Sequence, residues 1–217
     1  MDEFLPLQHF YRLTRLWWLI VLCSLLGMGA AYIFHRFNPP VYEATASINV
    51  TIDLAKLQIL TDIPKDKLQY NEDLAVSVTD QAFRSLEAYQ AVLTRCLAQG
   101  LPIPDIGTLY ANHTLERRHA IWQLHYRHTD PQVALAVANT WAEVAYENMT
   151  LWQSTAQIPA YLIIMPPVPA ILPTAPALYD LNRLLLAGSL IGLILGILLT
   201  DFLARKSYAS QPAANRE

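Results

Sequence analysis

Two long apolar segments, one near each end of the chain, constrain the fold more than any other feature of the sequence. Residues 16–34 contain 19 residues without a charge, and residues 184–200 contain 17. A helix rises 1.5 Å per residue, so 19 residues reach about 28 Å, close to the hydrocarbon thickness of about 30 Å in a bilayer. The second segment reaches a similar length when residues 201–204 extend it to the interface. The sequence therefore predicts two transmembrane helices, over residues 16–36 and 183–203, which excludes a soluble enzyme, a disordered chain and a multispan transporter.

The overall composition agrees with this prediction. Hydrophobic residues make up 53% of the 217-residue chain and charged residues only 15%, against about 25% charged residues in an average soluble domain. The excess of apolar residues lies in the two segments. The part between them is therefore expected to have a core of ordinary size.

The first apolar segment has an alternative interpretation as a cleaved signal peptide. Residues 29–31 (Gly-Ala-Ala) loosely resemble a cleavage site of small residues. However, the apolar run is longer than the hydrophobic core of a signal peptide, which usually has about 7–15 residues. In addition, Asp2 and Glu3 make its leader acidic. Trp17 and Trp18 stand where an interfacial aromatic belt is expected. These features favour an uncleaved membrane anchor.

The distribution of charge predicts the orientation. Residues 37–182 carry 8 Lys and Arg against 14 Asp and Glu, a net charge of −6, whereas five Lys and Arg residues lie in the leader (1–15) and the tail (204–217). Positive residues close to membrane spans favour the cytoplasmic side. Both termini are therefore predicted to be cytoplasmic, with the region between the spans outside. An acidic outer region also argues against nucleic acid as a partner.

The two cysteines are predicted to remain unpaired. Cys23 lies inside the first predicted span and Cys96 lies in the region between the spans, so the membrane separates them. Cys96 belongs to an amphipathic stretch, where a small buried apolar side chain is the simplest interpretation. An exported domain without a disulfide must be held together by packing.

The region between the spans, residues 37–182, is long enough for one core and is predicted to be a small extracytoplasmic α/β domain flanked by two transmembrane helices. Apolar and polar residues alternate over residues 41–52, which predicts a half-buried strand. Apolar residues recur every three or four positions over residues 71–99, which predicts a helix that Gly100 ends. A loop and a second alternating strand, residues 119–128, are expected to follow.

The C-terminal half of this domain is predicted to contain one further helix and an extended segment. Asp130 and Pro131 are an N-cap and a first helical residue, and an apolar stripe follows them. Residues 158–165 are expected to be extended. Six of the 18 residues over 159–176 are proline, which predicts a stiff strut that couples the domain to the second span. The strut prolines are Pro166, Pro167, Pro169, Pro173 and Pro176.

The sequence shows no catalytic, cofactor-binding or metal-binding motif, so the protein is not expected to be an enzyme. The sequence contains no phosphate-binding loop and no metalloprotease or Cys-x-x-Cys motif. Four histidines, at positions 113, 119, 125 and 128, suggest a metal site, but His119 and His125 would lie about 20 Å apart along one strand. Trp122, Trp141 and Trp152 suggest sugar stacking, although core packing is the better explanation for tryptophans on apolar faces.

A regular glycine pattern stands out in the second span. Gly188, Gly192 and Gly196 are spaced four residues apart, which places them on one face of a helix. Small residues at this spacing let two helices approach closely. The pattern predicts either self-association or packing against the first span.

The order of motifs resembles the Wzz-type chain-length determinants, or polysaccharide co-polymerases. The resemblance rests on an aromatic and basic leader at 11–20, a Pro-x-Tyr-x-Ala strand at 39–50, an Asp-Pro helix within 125–147, and a proline-rich stretch before the second span. The matching residues are Pro39, Pro40, Tyr42, Ala44, Asp130, Pro131, Asn139 and Asn182. The chain has no room for the long helical projection of the O-antigen members, so it resembles a short form with the base domain alone.

This resemblance implies a function that the composition does not. Such proteins form closed homo-oligomeric rings in the inner membrane of bacteria and set the length of a surface polysaccharide, such as lipopolysaccharide O-chain, capsule or exopolysaccharide. A separate polymerase builds that polymer on a lipid carrier, so the expected partners are the polymerase, the lipid-linked polysaccharide, the bilayer and further copies of the chain. No cofactor is implied.

Two alternative functions compete with this one. The first is a transmembrane adaptor that activates a separate cytoplasmic tyrosine kinase through the tail at 204–217, since the chain has no kinase domain of its own. The second is a two-span channel subunit, which is disfavoured because a pore needs a polar face and the two apolar runs carry few polar side chains, among them Cys23, Ser24 and Ser189.

Overall fold

The computed structural model describes residues 17–53, 56 and 77–209, without the side chains of 204–209. Within it the chain divides into two compact units. The helix unit comprises Met1–Pro40 and Leu178–Glu217, and the sheet unit comprises Val41–Ala177.

The helix unit contains two long apolar helices. Helix α1 covers Trp17–Phe37 and helix α5 covers Leu181–Ala209. Both are long and apolar enough to cross a membrane, and α1 contains no buried residue. Large apolar side chains that stay exposed along a whole helix require an apolar surrounding, which a bilayer supplies. The two membrane-spanning helices predicted from the sequence are thus present as candidates in the structure.

The sheet unit is built on a four-stranded antiparallel sheet. Its strands are β1 (Tyr42–Ile52), β2 (His113–Arg118), β3 (Ile121–His128) and β4 (Leu162–Ile164), in the order β2-β3-β1-β4. Strand β1 lies in the middle because alternate residues carry small or branched apolar side chains that pack into the core. Three cross-strand pairs on this face are Ala44 with Tyr126, Ala46 with Leu124, and Ile48 with Trp122, all six of them buried.

Helices cover the apolar face of this sheet. They are α2 (Leu86–Ala98), α3 (Ile106–Asn112) and α4 (Pro131–Ser154), and residues 77–84 are also helical. Helix α4 contributes ten buried residues, including Trp141, whose indole N–H donates to the carbonyl of Phe83 at 3.0 Å. The expected mixture of helices and strands is confirmed, and the sheet is antiparallel.

Three details of the predicted secondary structure were wrong. The second alternating strand begins at Ile121, because His119 lies in a turn with φ 58°. The helix predicted over 71–99 is interrupted at Ser85, whose hydroxyl accepts from the N–H of Ala88, and 71–76 lie outside the described residues. The segment expected to be a loop before the second strand contains α3 and β2. Strand β2 is an exposed edge strand, so it lacks the alternation that identifies a half-buried strand.

The buried cysteine and two of the three tryptophans lie where packing predicts. Cys96 is fully buried, and burial raises the pKa of its thiol to about 11. Trp122 and Trp141 are also buried in the core. Trp152 differs because it is only partly buried, although it packs against the same core.

Tyr126 provides a stability prediction. Its ring is fully buried, burial raises its pKa to about 12, and its hydroxyl has no hydrogen-bond partner in the described part of the chain. A buried hydroxyl without a partner costs about 1–3 kcal/mol. Tyr126→Phe is therefore expected to raise the free energy of unfolding by about 1 kcal/mol. Urea unfolding of the full-length protein in detergent, followed by tryptophan fluorescence, measures this, and a destabilised variant would contradict it.

Candidate functional site

The predicted glycine face of α5 lies directly against α1. A Cβ atom on Gly188 would stand 2.5 Å from the carbonyl oxygen of Gly27, and one on Gly196 would stand 2.8 Å from the Cα of Ile20. A Cβ on Gly192 would overlap the carbonyl oxygen of Cys23. The partner residues run backwards along α1 as the glycines run forwards along α5, so the helices are antiparallel. The sequence predicted either self-association or packing against the first span for this glycine face, and the structure contains the packing against the first span.

A pair of serines adds a polar contact between the same two helices. The hydroxyl oxygens of Ser24 and Ser189 are 3.0 Å apart, and the Ser24 hydroxyl is also 3.3 Å from the Ser189 carbonyl oxygen. A hydrogen bond between helices in a membrane contributes about 0.6 kcal/mol on average. Because the serine pair requires one register of α1 against α5, it adds specificity to the close glycine packing.

A second contact joins the helices near the end of α1 and the start of α5. The ring of Tyr179 meets the ring of Phe34 edge to face at 5.9 Å, and Nδ1 of His35 donates to the Tyr179 carbonyl at 2.9 Å. Tyr179 has a φ of 58°, which is unfavourable for a tyrosine, so these contacts hold a strained residue in place. Asp180 follows and accepts from the N–H of Asn182 at 3.3 Å.

In the sheet unit, the proline-rich segment runs antiparallel beside β1. The N–H of Met165 donates to the Asn49 carbonyl at 3.0 Å, and Val168 and Ser47 exchange two backbone hydrogen bonds. At the end of the unit, the N–H of Ala177 donates to the Val41 carbonyl at 2.8 Å. The two ends of the sheet unit are therefore held side by side.

Asn139 of α4 supplies a further attachment for this segment. Its side-chain oxygen accepts from the N–H of Ala170 at 2.7 Å. Ala170 is itself buried against the core. Pro166, Pro167 and Pro169 have no N–H to donate, so the bonds made by Val168 and Ala170 carry the attachment of this part of the segment. Pro173 and Pro176 lie further along it, half-buried.

A comparison with protein families bears on this arrangement. Residues 8–93 match the family model of the Wzz chain length determinant protein. The resemblance to the Wzz family predicted from the sequence is thereby confirmed for this part of the chain. No curated protein matches the chain.

The Wzz match covers 86 of the 217 residues, from the leader through α1 and β1 into α2. It includes Pro39 and Pro40, which follow α1, and Tyr42 and Ala44 of β1. Chain length determination in polysaccharide biosynthesis is the role that the Wzz family implies. The family members are regulators rather than enzymes.

The remaining motif residues lie beyond the Wzz match and have local structural roles. Asp130 caps α4 by accepting from the N–H of Gln132 at 2.8 Å, and Pro131 is the first residue of that helix. Asn139 holds the proline-rich segment, as described above. Asn182 is the second residue of α5 and is exposed.

The four histidines have four different surroundings. His119 lies in a turn rather than on the strand face assigned to it from the sequence, and Nδ1 of His128 accepts from the N–H of Asp130. Nδ1 of His125 lies 3.0 Å from the carboxylate of Glu43. His113 stacks on a tryptophan of the core. Among the described residues, no group of three or more His, Cys, Asp or Glu side chains is arranged to hold a metal ion.

His113 makes the stability of the sheet unit depend on pH. Its ring stacks on Trp141 at 4.8 Å, Nδ1 donates to the Tyr110 carbonyl, and Nε2 accepts from the Tyr89 hydroxyl at 3.2 Å. Burial lowers the pKa of His113, because it penalises the charged ring, and Arg84 adds to this effect. The contribution of the neutral His113 ring to folding stability is complete above the pKa of the unfolded chain, about 6.5. It is lost as the pH falls through the lower pKa of the folded protein.

We therefore expect the free energy of unfolding to decrease between about pH 7 and pH 5, and part of that decrease to be absent in His113→Gln. Urea unfolding of both full-length proteins across this range measures the difference between the two slopes. Parallel pH profiles for the two proteins would contradict the assignment to His113.

Two parts of this site were not found from the sequence. Gly27 is the glycine of α1 that lies against α5, but Gly27 and Gly29 do not repeat at a four-residue spacing, so they give no signal of a packing face. The bond from Asn139 to Ala170 joins residues 31 positions apart, and no local pattern predicts such a pair.

Proposed function

We propose that this protein is a non-enzymatic regulator of the chain length and export of a surface polysaccharide. The single observation that carries the proposal is the match of residues 8–93 to the Wzz chain length determinant protein. The two candidate membrane helices support it, because a regulator of a polymer grown on a lipid carrier must sit in the membrane. The protein acts in the bacterial inner membrane beside a separate polymerase, with both termini in the cytoplasm and the sheet unit outside.

The paired helices suggest how such a regulator is anchored. Close packing of α1 on α5 lets the sheet unit be attached to two adjacent spans, and the bond between Ala177 and Val41 holds the two ends of that unit together. The protein assembles into a homo-oligomeric ring, so that many such units face the growing lipid-linked polymer.

Deleting the gene tests the proposal. The expected result is a changed length distribution of the surface polymer on a gel, which the wild-type gene restores when it is supplied again. Light scattering of the purified protein in detergent tests the ring separately, with a mass several times that of one chain as the expected result. An unchanged polymer in the deletion strain would overturn the proposed function.

The adaptor function, in which the tail activates a tyrosine kinase, remains an alternative prediction. Tyr208 is the tyrosine of the predicted tail, and its side chain lies outside the described residues. If a tail-truncated protein still restores the polymer length distribution in the deletion strain, chain-length control does not require activation of a kinase by the tail.

A further inference from the structure

A cleft in the sheet unit, on the helical side of the domain, has no role in the contacts described so far. It lies where the helical residues 77–84 and the start of α2 meet the end of α4, and has a volume of about 360 Å³. This lies within the range of about 300–1,000 Å³ that is typical of small-molecule sites, near its lower limit. The lining residues are Val78, Gln81, Ser85, Glu87, Asn148, Trp152, Gln157 and Ile158.

Apart from the Ser85 hydroxyl, which accepts from the N–H of Ala88, the polar side chains of this cleft are not used in hydrogen bonds of the described part of the protein. In the part of the chain that the structure describes, the side-chain groups of Gln81, Glu87, Asn148 and Gln157 have no hydrogen-bond partner. Gln153, which is next to Trp152 on α4, contrasts with them because its amide donates to the Leu162 carbonyl at 2.7 Å. The cleft therefore brings together three carboxamides and a carboxylate that are available to a ligand.

The ring of Trp152 gives the cleft an apolar wall. Trp152 packs against the core and is only partly buried, so part of its ring lines the cleft. The backbone of Trp152 is held in place, because the N–H groups of Gln157 and Ile158 both donate to its carbonyl, at 2.8 and 3.3 Å. An aromatic wall beside free hydrogen-bonding groups suits a ligand with one apolar face and polar edges.

The lining selects among ligand classes. It contains no Lys or Arg, and Glu87 gives it a negative charge, which disfavours phosphate and other anions. Its polar rim disfavours an acyl chain, since a hydrocarbon would leave the carboxamides unsatisfied. Each carboxamide offers both donors and an acceptor, which pair with neighbouring hydroxyl groups that are themselves donors and acceptors. A saccharide ring carries such hydroxyls at its edge and C–H groups on its face.

From this cleft we infer that the sheet unit binds a short saccharide unit, with Trp152 against the sugar face and Gln81, Asn148, Gln157 and Glu87 bonded to its hydroxyls. The choice of the surface polysaccharide as the source of that saccharide rests on the proposed function. The cleft then gives the regulator a direct contact with its polymer.

The test uses the full-length protein in lipid nanodiscs, and the probe is the oligosaccharide mixture released by mild acid from the surface polymer of the same cells. Saturation-transfer NMR detects binding, and calorimetric titration measures affinity. Gln81→Ala and Gln157→Ala are each expected to weaken binding about fivefold, the effect of losing one hydrogen bond between neutral groups. Both residues are exposed, so these variants should fold. Trp152→Leu is expected to cause the largest loss.

Gln132→Ala is the matched control, because Gln132 is an exposed glutamine at the opposite end of α4 and should leave binding unchanged. Absence of binding by the wild-type protein, or equal affinity of the cleft and control variants, would overturn the inference. The two proposals fail separately. If the polymer is unchanged in the deletion strain but binding depends on the cleft, the proposed function is wrong and the binding site stands. If the polymer changes in the deletion strain but binding does not depend on the cleft, only the binding site is wrong.

Discussion

Gly192→Leu is expected to separate α1 from α5. Even the Cβ atom of the new side chain would overlap the carbonyl oxygen of Cys23 and would lie 2.8 Å from the Cα of Ser24. These are backbone atoms, which move only if the helix moves. Overpacking of a tight contact costs about 1–3 kcal/mol, which corresponds to roughly a 5- to 150-fold smaller population of the paired helices.

The serine pair provides the measurement. With Ser24 and Ser189 replaced by cysteine, and Cys23 replaced by alanine, oxidation should join α1 to α5 within one chain, because the two hydroxyl oxygens are 3.0 Å apart. Cys96 should not interfere, since it is buried and its pKa is raised to about 11. Adding Gly192→Leu is expected to reduce the yield of this disulfide strongly.

Gly29→Leu is the matched control for this experiment. Gly29 lies on the same helix pair, and a Cβ atom there would meet nothing within 4 Å. The same glycine-to-leucine change should therefore leave the disulfide yield unaltered. An undiminished yield in Gly192→Leu, or an equal loss in both variants, would show that the glycine face does not control the approach of the helices.

The sequence pattern predicted this contact only in part. The four-residue spacing of Gly188, Gly192 and Gly196 predicts a face for close approach, because spacing along one helix is local information. It does not identify the partner, which depends on where Gly27 and Ser24 fall on the other helix. For the same reason the predicted role of the three glycines in assembly between chains stays a prediction.

The sheet unit shows the same division between local and non-local information. The alternation in β1 and the Asp130-Pro131 cap of α4 are local, and the structure contains both elements. Strand β2 was missed because an exposed edge strand buries too little of either face to alternate. Trp152 fits an apolar helical stripe, so its position in a polar cleft becomes visible only when residues 77–87 are placed beside the end of α4.

Asn139→Leu is expected to release the proline-rich segment from α4. Leucine has a similar size but cannot accept the hydrogen bond from the N–H of Ala170, which lies 2.7 Å from the asparagine oxygen. A buried donor left without a partner costs about 1–3 kcal/mol. Hydrogen exchange followed by mass spectrometry should show faster exchange in peptides that cover residues 165–177, while peptides from β3 remain protected.

Asn139→Asp is the control, because its carboxylate keeps an acceptor oxygen at the same place. It should retain slow exchange at Ala170. If the proline-rich segment transmits the state of the sheet unit to α5, Asn139→Leu should also alter the polymer length distribution in the complemented deletion strain, and Asn139→Asp should not. Faster exchange with an unchanged polymer would mean that Asn139 stabilises the segment without serving chain-length control. Equal exchange rates in Asn139→Leu and Asn139→Asp would mean that the backbone hydrogen bonds of Val168 and Ala177 hold the segment without the Asn139 side chain, since Pro166, Pro167 and Pro169 have no N–H to contribute.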